Sequence, residues 1–215
     1  MVNAQGSPQM EIPEAEIREL THFVSEFVKE SDRAAVILGA AKIDTQLFQI
    51  LQKVLIANPA GTDDLLDNER PLSSFSSRIN MVYRLGLIDA ELTRALHLIR
   101  RIRNSCAHEL SGVSLTSGPH RDRIRELVAP LKHVSQFAEL KNSFKGMAEI
   151  DEPAADFRMT VAIIMLRLNQ VFHECQTLPA MNAIPLLPPH LKKPIEKTEE
   201  KSIQNESGST KDVGT

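Results

Sequence analysis

Tryptophan is absent from this sequence, tyrosine occurs once, and aromatic residues make up 4% of its 215 residues. A platform that stacks successive bases of a single strand has little material here, and the phenylalanines mostly follow helical stripes, where they read as core. Cysteine is as scarce: Cys106 and Cys175 each sit in an apolar helical pattern, with no CxxC pair and no disulfide framework. A reducing cytoplasm is the expected compartment. No charged start followed by an apolar stretch marks a secretory leader, and no apolar run approaches the roughly 18 residues of a spanning helix. Net positive charge is missing too. With 25 Lys and Arg against 28 Asp and Glu, the formal charge is −3, which leaves no domain-wide field to collect phosphates. His22, His97, His108, His120, His133 and His173 form neither HExxH nor a Cys/His spacing, and no glycine loop cradles a phosphate. Neither a metal nor a cofactor is expected. Alternating apolar runs with hairpin turns are also lacking, so a sheet has no support, and no internal repeat is present.

What the chain does have is 42% hydrophobic and 25% charged residues, enough for one sizeable core. Residues 1–12 carry no periodicity and read as a disordered N-terminus; residues 13–178 read as one helical domain. Helical stripes and their stop signals predict helices near 14–29, 32–57, 73–85, 89–107, 120–140 and 153–177. Ser31 or Asp32 is a good N-cap for the second, and Asn58-Pro59 stops it. Gly86 reads as the left-handed residue ending the third, Asp89 as the N-cap of the fourth, and Pro130 as a kink or end of the fifth. Residues 179–215, with prolines at 185, 188, 189 and 194 and few large apolar residues, read as a disordered tail. The expected class is all-α.

The fourth helix is the most informative. At about 100° per residue, Leu92, Leu96, Ile99, Arg103 and Cys106 share one face, so Arg103 is expected to point into the core. A buried guanidinium needs acceptors. Asp44, beside Leu47 and Leu51 on the second helix, is the first choice of partner and Asp32 the second. Such a structural pair predicts that Arg103→Ala would cost about 3–5 kcal/mol. Arg94, His97, Arg101 and His108 fall on the opposite face, which together with Asn104 makes a basic candidate surface for a partner.

Asp32-Arg33-Ala34-Ala35, the Asp44 helix, the stretch Arg70 to Ile79 (RPLSSFSSRI), Leu85-Gly-Leu-Ile88 and the stretch Ile99 to His108 (IRRIRNSCAH) together resemble the mannitol operon repressor family, over roughly Glu16 to Cys175. The resemblance implies an all-helical fold and transcriptional regulation of a sugar-alcohol operon. The long C-terminal tail and the loop after His108 depart from that pattern. A shorter stretch, Arg103 to His108, is similar to the R-x4-H motif of HEPN domains, helical modules that include ribonucleases. That likeness implies that Arg103 would bind the scissile phosphate and that His108 would move protons for attack by the ribose 2′-hydroxyl, with no metal.

The third and fourth helices have the outline of a helix-turn-helix, which a repressor would use to read DNA. The chemistry opposes it. The would-be recognition helix begins Asp89-Ala90-Glu91, placing two carboxylates where bases and phosphates would lie. The expected activity is therefore regulation through contact with another regulatory protein, without enzymatic chemistry and without membrane attachment. The oligomeric state is left open, a homodimer included.

Overall fold

Each helix begins and ends where a cap or a break in pattern allows it. In the computed structural model, which describes residues 14–58, 61, 63–109, 112–133, 137–139, 141–142 and 150–178, these are α1 (Glu14–Phe27), α2 (Asp32–Val54), α3 (Phe75–Arg84), α4 (Ala90–His108), α5 (Gly118–Val128) and α6 (Glu152–Glu174). Residues 137–139 and 141–142 are also helical, and no strand occurs among the described residues. The fold is all-α. The expected disordered segments, 1–12 and 179–215, lie outside the described residues.

The predicted caps at Ser31 and Asp89 form, and Ser74 supplies one that was not predicted. Ser31 Oγ accepts from the Ala34 amide at 3.3 Å, Ser74 Oγ from Ser77 at 3.1 Å and Asp89 Oδ1 from Leu92 at 2.8 Å. Gly86 takes φ 72°, while Leu87 N–H donates to Val82 O at 3.2 Å and Gly86 N–H to Tyr83 O at 2.8 Å. This pair of bonds is a Schellman closure, and it turns the chain sharply into α4.

Three ends differ from expectation; α6 stops at Glu174 rather than near 177. α2 stops at Val54 rather than near 57, because its last carbonyls are taken from outside the helix. Thr177 Oγ1 donates to Lys53 O at 2.8 Å and Leu178 N–H to Val54 O at 2.7 Å. Lys53 Nζ in turn donates to the carbonyl of Phe172, so the ends of α2 and α6 cap one another. α5 stops at Val128, short of 140, since Pro130 cannot donate to the helix and Leu131 N–H turns back to Val128 O at 2.9 Å.

α2 is the central helix, packed on α1, α3, α4 and α6, while α5 packs on α4 and α6. Val36, Ile43, Leu47, Ile50 and Leu51 on α2 are fully buried against Ile79, Leu96, Ile99, Ile102, Phe157, Val161 and Leu168. Close approach is secured at Gly39, where an added Cβ would meet Val161 Cγ1 at 3.0 Å and Phe27 Cζ at 3.2 Å. α2 is also long and apolar enough, by length and composition alone, to cross a membrane, contrary to the sequence reading. Alanines and one glycine spread its hydropathy over a window that no single apolar run marks, and 44% of that window is buried in the fold.

One ion pair sits inside this packing. Arg158 on α6, 2% exposed, donates to Asp32 Oδ1 at 3.1 Å, to Ala154 O at 3.1 Å and to Glu30 O at 2.6 Å. Asp32 Oδ2 also accepts from the Leu115 amide at 2.9 Å. Removing the guanidinium strands a carboxylate and two carbonyls at a helix junction, and Arg158→Ala is expected to cost about 3 kcal/mol. Thermal unfolding of Arg158→Ala, Asp32→Ala and the double variant checks this; the double variant should lose less than the sum of the singles.

Candidate functional site

Between Leu92 and His108, α4 contains no carboxylate and four arginines, Arg94, Arg100, Arg101 and Arg103. Its buried residues are Leu96, Leu98, Ile99, Ile102 and Cys106. Arg103 lies only about 20° from Leu96 and about 40° from Ile99 around the helix at 100° per residue. It is nevertheless exposed, and its Nη1 donates to Asn104 Oδ1 at 3.1 Å.

The expected Asp44–Arg103 pair is therefore absent. Asp44 Oδ1 accepts instead from Arg78 Nη1 at 2.9 Å, while Arg78 Nε donates to Leu72 O at 2.9 Å and its guanidinium lies 5.0 Å from the Phe48 ring centre. Asp32, the second choice, holds Arg158. The reason is the length of α3. Asn80 opposite His97 fixes the α3–α4 register, so the start of α3 lies near residue 101 and Arg103 extends past it. Arg78 could have been found by the rule that selected Arg103: it falls inside the stripe of Phe75, Ile79 and Val82, in a helix covered along its length.

The candidate partner surface divides in two. Towards the start of α4, Arg94 is held by Glu126 of α5 at 2.6 Å. His97 Nε2 lies 3.0 Å from Asn80 Oδ1, and burial, with Arg100 and Arg101 beside it, lowers its pKa below the ordinary value, so the ring is neutral near pH 7. Towards the end of α4, Arg101, Arg103 and His108 are exposed and Asn104 is half-buried. The ion pairs among the described residues use Arg18, Arg70, Arg78, Arg94, Arg121, Arg125 and Arg158 and leave Arg33, Arg84, Arg100, Arg101, Arg103, Arg123 and Arg167 without a carboxylate.

A shallow pocket of about 380 Å³ opens between these halves, walled by Tyr83, Thr93, His97, Leu98 and Arg101 with the Arg94–Glu126 pair at its edge. Sequence reading missed Tyr83, whose side chain is 42% exposed; as the one tyrosine in the chain, on a helix otherwise read as core, it carried the signal. A larger apolar trough of about 980 Å³, with Leu92, Ala95, Leu127, Leu131 and Ile163 on its walls, lies between α4, α5 and α6.

Past His108 the end of α4 is fastened rather than reactive. Arg33 donates to Cys106 O at 3.1 Å and to Glu109 O at 2.6 Å, and Glu109 pairs with the buried His120 at 2.5 Å. The Cys106 thiol lies 3.9 Å from both His120 ring nitrogens, and burial, then Glu109, push its pKa up to about 11. A thiol in that state is not a nucleophile. Among the described residues no group of three His, Cys, Asp or Glu side chains could hold a metal ion.

By sequence, the chain matches no protein-family model and no curated protein. By structure it is similar to a chain in the X-ray structure of the MtlR-HPr complex from Escherichia coli, with a TM-score of 0.52 and 16% identity over 70% of this chain and 99% of that one. The all-helical fold is thus MtlR-like.

Two expectations follow. Arg78→Ala, which frees a half-buried carboxylate and a carbonyl, should cost about 2 kcal/mol, whereas Arg103→Ala should stay within about 0.5 kcal/mol of the parent in urea unfolding. The lowered His97 pKa means that, as pH falls through the ordinary value of 6.5, the unfolded chain takes up the proton first. His97 therefore costs nothing above that pH and destabilises progressively below it. Melting temperatures at pH 7.5 and pH 5.5 should diverge less in His97→Gln than in the parent.

Proposed function

We propose that this protein is a non-enzymatic, cytoplasmic regulator of transcription, of the mannitol operon repressor kind, that acts by contacting another protein through the outward face of α4. The observation that carries this reading is the distribution of charge along that helix. Its first turn is acidic, with Asp89 capping and Glu91 exposed, while the unneutralised arginines lie in its second half. A recognition helix would need the reverse, since its N-terminal residues meet the bases. The fold similarity adds support, because the MtlR-like neighbour is a chain of a complex with another protein.

A second reading is a metal-independent ribonuclease using Arg103 and His108. It is favoured by one finding: neither residue is sealed into the core, so both are open to a substrate. In that role Arg103 would meet the phosphate and His108 would relay the proton of the 2′-hydroxyl.

The immobilised full chain is expected to retain a specific protein from native lysate. The purified chain is expected to distinguish an operator from unrelated DNA by less than about a thousandfold at physiological salt, and a larger ratio would displace the partner reading. RNA incubated with the protein in EDTA should remain intact. Cleavage that disappears in both Arg103→Ala and His108→Ala, with unchanged melting temperatures, would establish the nuclease instead.

A further inference from the structure

Resting on the partner reading, we infer that the pocket between α3, α4 and α5 is the anchor point, and that it takes an apolar or aromatic side chain from an acidic protein segment whose carboxylates meet Arg101.

Size is the first ground. At about 380 Å³ the pocket accommodates one or two side chains rather than a whole helix. Its inner wall is neutral: Thr93 and Leu98 carry no charge, Arg94 is occupied by Glu126, and burial with flanking guanidiniums keeps His97 uncharged at neutral pH. An apolar side chain entering there displaces water without burying an unpaired ion.

The charged side of the lining has the opposite character. Arg101, which lines the pocket, is exposed with no carboxylate partner among the described residues. Tyr83 also lines the pocket and is 42% exposed. Tyrosine and arginine are the residues most enriched where binding energy concentrates, and both are fixed here on packed helices, so little ordering remains to oppose binding. Charge complementarity selects a segment bearing carboxylates.

Nucleic acid is a poorer fit. Glu126 lies in the pocket wall and Asp89 and Glu91 head the same helix, so a phosphate chain crossing the pocket would meet carboxylates. One tyrosine also offers no series of stacked bases.

The test is fluorescence anisotropy on the full chain with three labelled probes. One is a twelve-residue peptide with a central Phe-Leu flanked by three Asp or Glu on each side; one is the same peptide with Lys at the acidic positions; one is a twelve-nucleotide RNA. The acidic peptide should bind at least tenfold more tightly than either other probe, and Tyr83→Ala and Arg101→Glu should each weaken it at least tenfold with melting temperature unchanged. Arg18→Glu, on exposed α1, should have no effect. Absence of acidic-peptide binding, tighter binding of the RNA or the Lys peptide, or indifference to both pocket variants would overturn the assignment. If a lysate partner is retained equally by the parent and by both pocket variants, the partner reading stands and this pocket is wrong. If no partner is retained and the acidic peptide does not bind, both fail.

Discussion

A buried arginine at a junction of helices is costly unless its acceptors are in place, and Arg158 imposes that condition on the whole bundle. Its acceptors come from the turn before α2, from the first residue of α2 and from its own helix, so α6 can dock only when α1 and α2 are correctly joined. The three residues at that corner do different work. Ser31 caps α2, Asp32 holds Arg158 and the Leu115 amide, and Arg33 reaches the end of α4. The corner therefore ties α6, the segment entering α5 and the last turn of α4 to one point. Apolar packing supplies the bulk of the stability, while these polar contacts fix the mutual orientation of the helices.

That fixed orientation accounts for which parts of the molecule could be read in advance. Helices and their caps depend on residues within four positions of each other, and Ser31, Ser74, Gly86 and Asp89 behave as local chemistry dictates. Ion-pair partners depend on register between helices, which no local pattern contains. Arg103 lies within the apparent apolar stripe of α4 yet faces out, because burial is decided by what covers each turn, and α3 is too short to cover that one. Asp44, expected to accept from Arg103, accepts from Arg78 instead. The early end of α2 was illegible for the same reason, since its carbonyls are claimed by Thr177 and Leu178, more than 120 positions away.

For the candidate site, the helical wheel of α4 overestimates its charge. Arg94 and His97 looked basic on a helical wheel, and the structure neutralises one with Glu126 and holds the other uncharged. What remains is a partition: a neutral, partly apolar first half beside Tyr83 and a positive second half. A uniformly basic stripe would suit any polyanion, whereas this partition asks for a ligand with two different ends.

The positive half also carries a cost in the isolated chain. Arg100 and Arg103 lie three residues apart on one helix, a spacing at which like charges destabilise by about 0.2–0.5 kcal/mol, and Arg101 adds to the same field. The Arg100 Nε is buried without a hydrogen-bond partner, an arrangement that leaves a desolvated donor unsatisfied. The repulsion weakens the free fold slightly and is relieved by an anionic group brought to the exposed guanidiniums, whereas the buried Arg100 Nε is beyond the reach of such a group. The same repulsion that burdens the free helix thus becomes a differential term favouring the bound state, since an anionic group removes it as well as adding its own attraction. Arg103 is exposed, and one of its donors goes to the neighbouring Asn104. Under the proposed reading, such a guanidinium would be open to an anionic group of the partner.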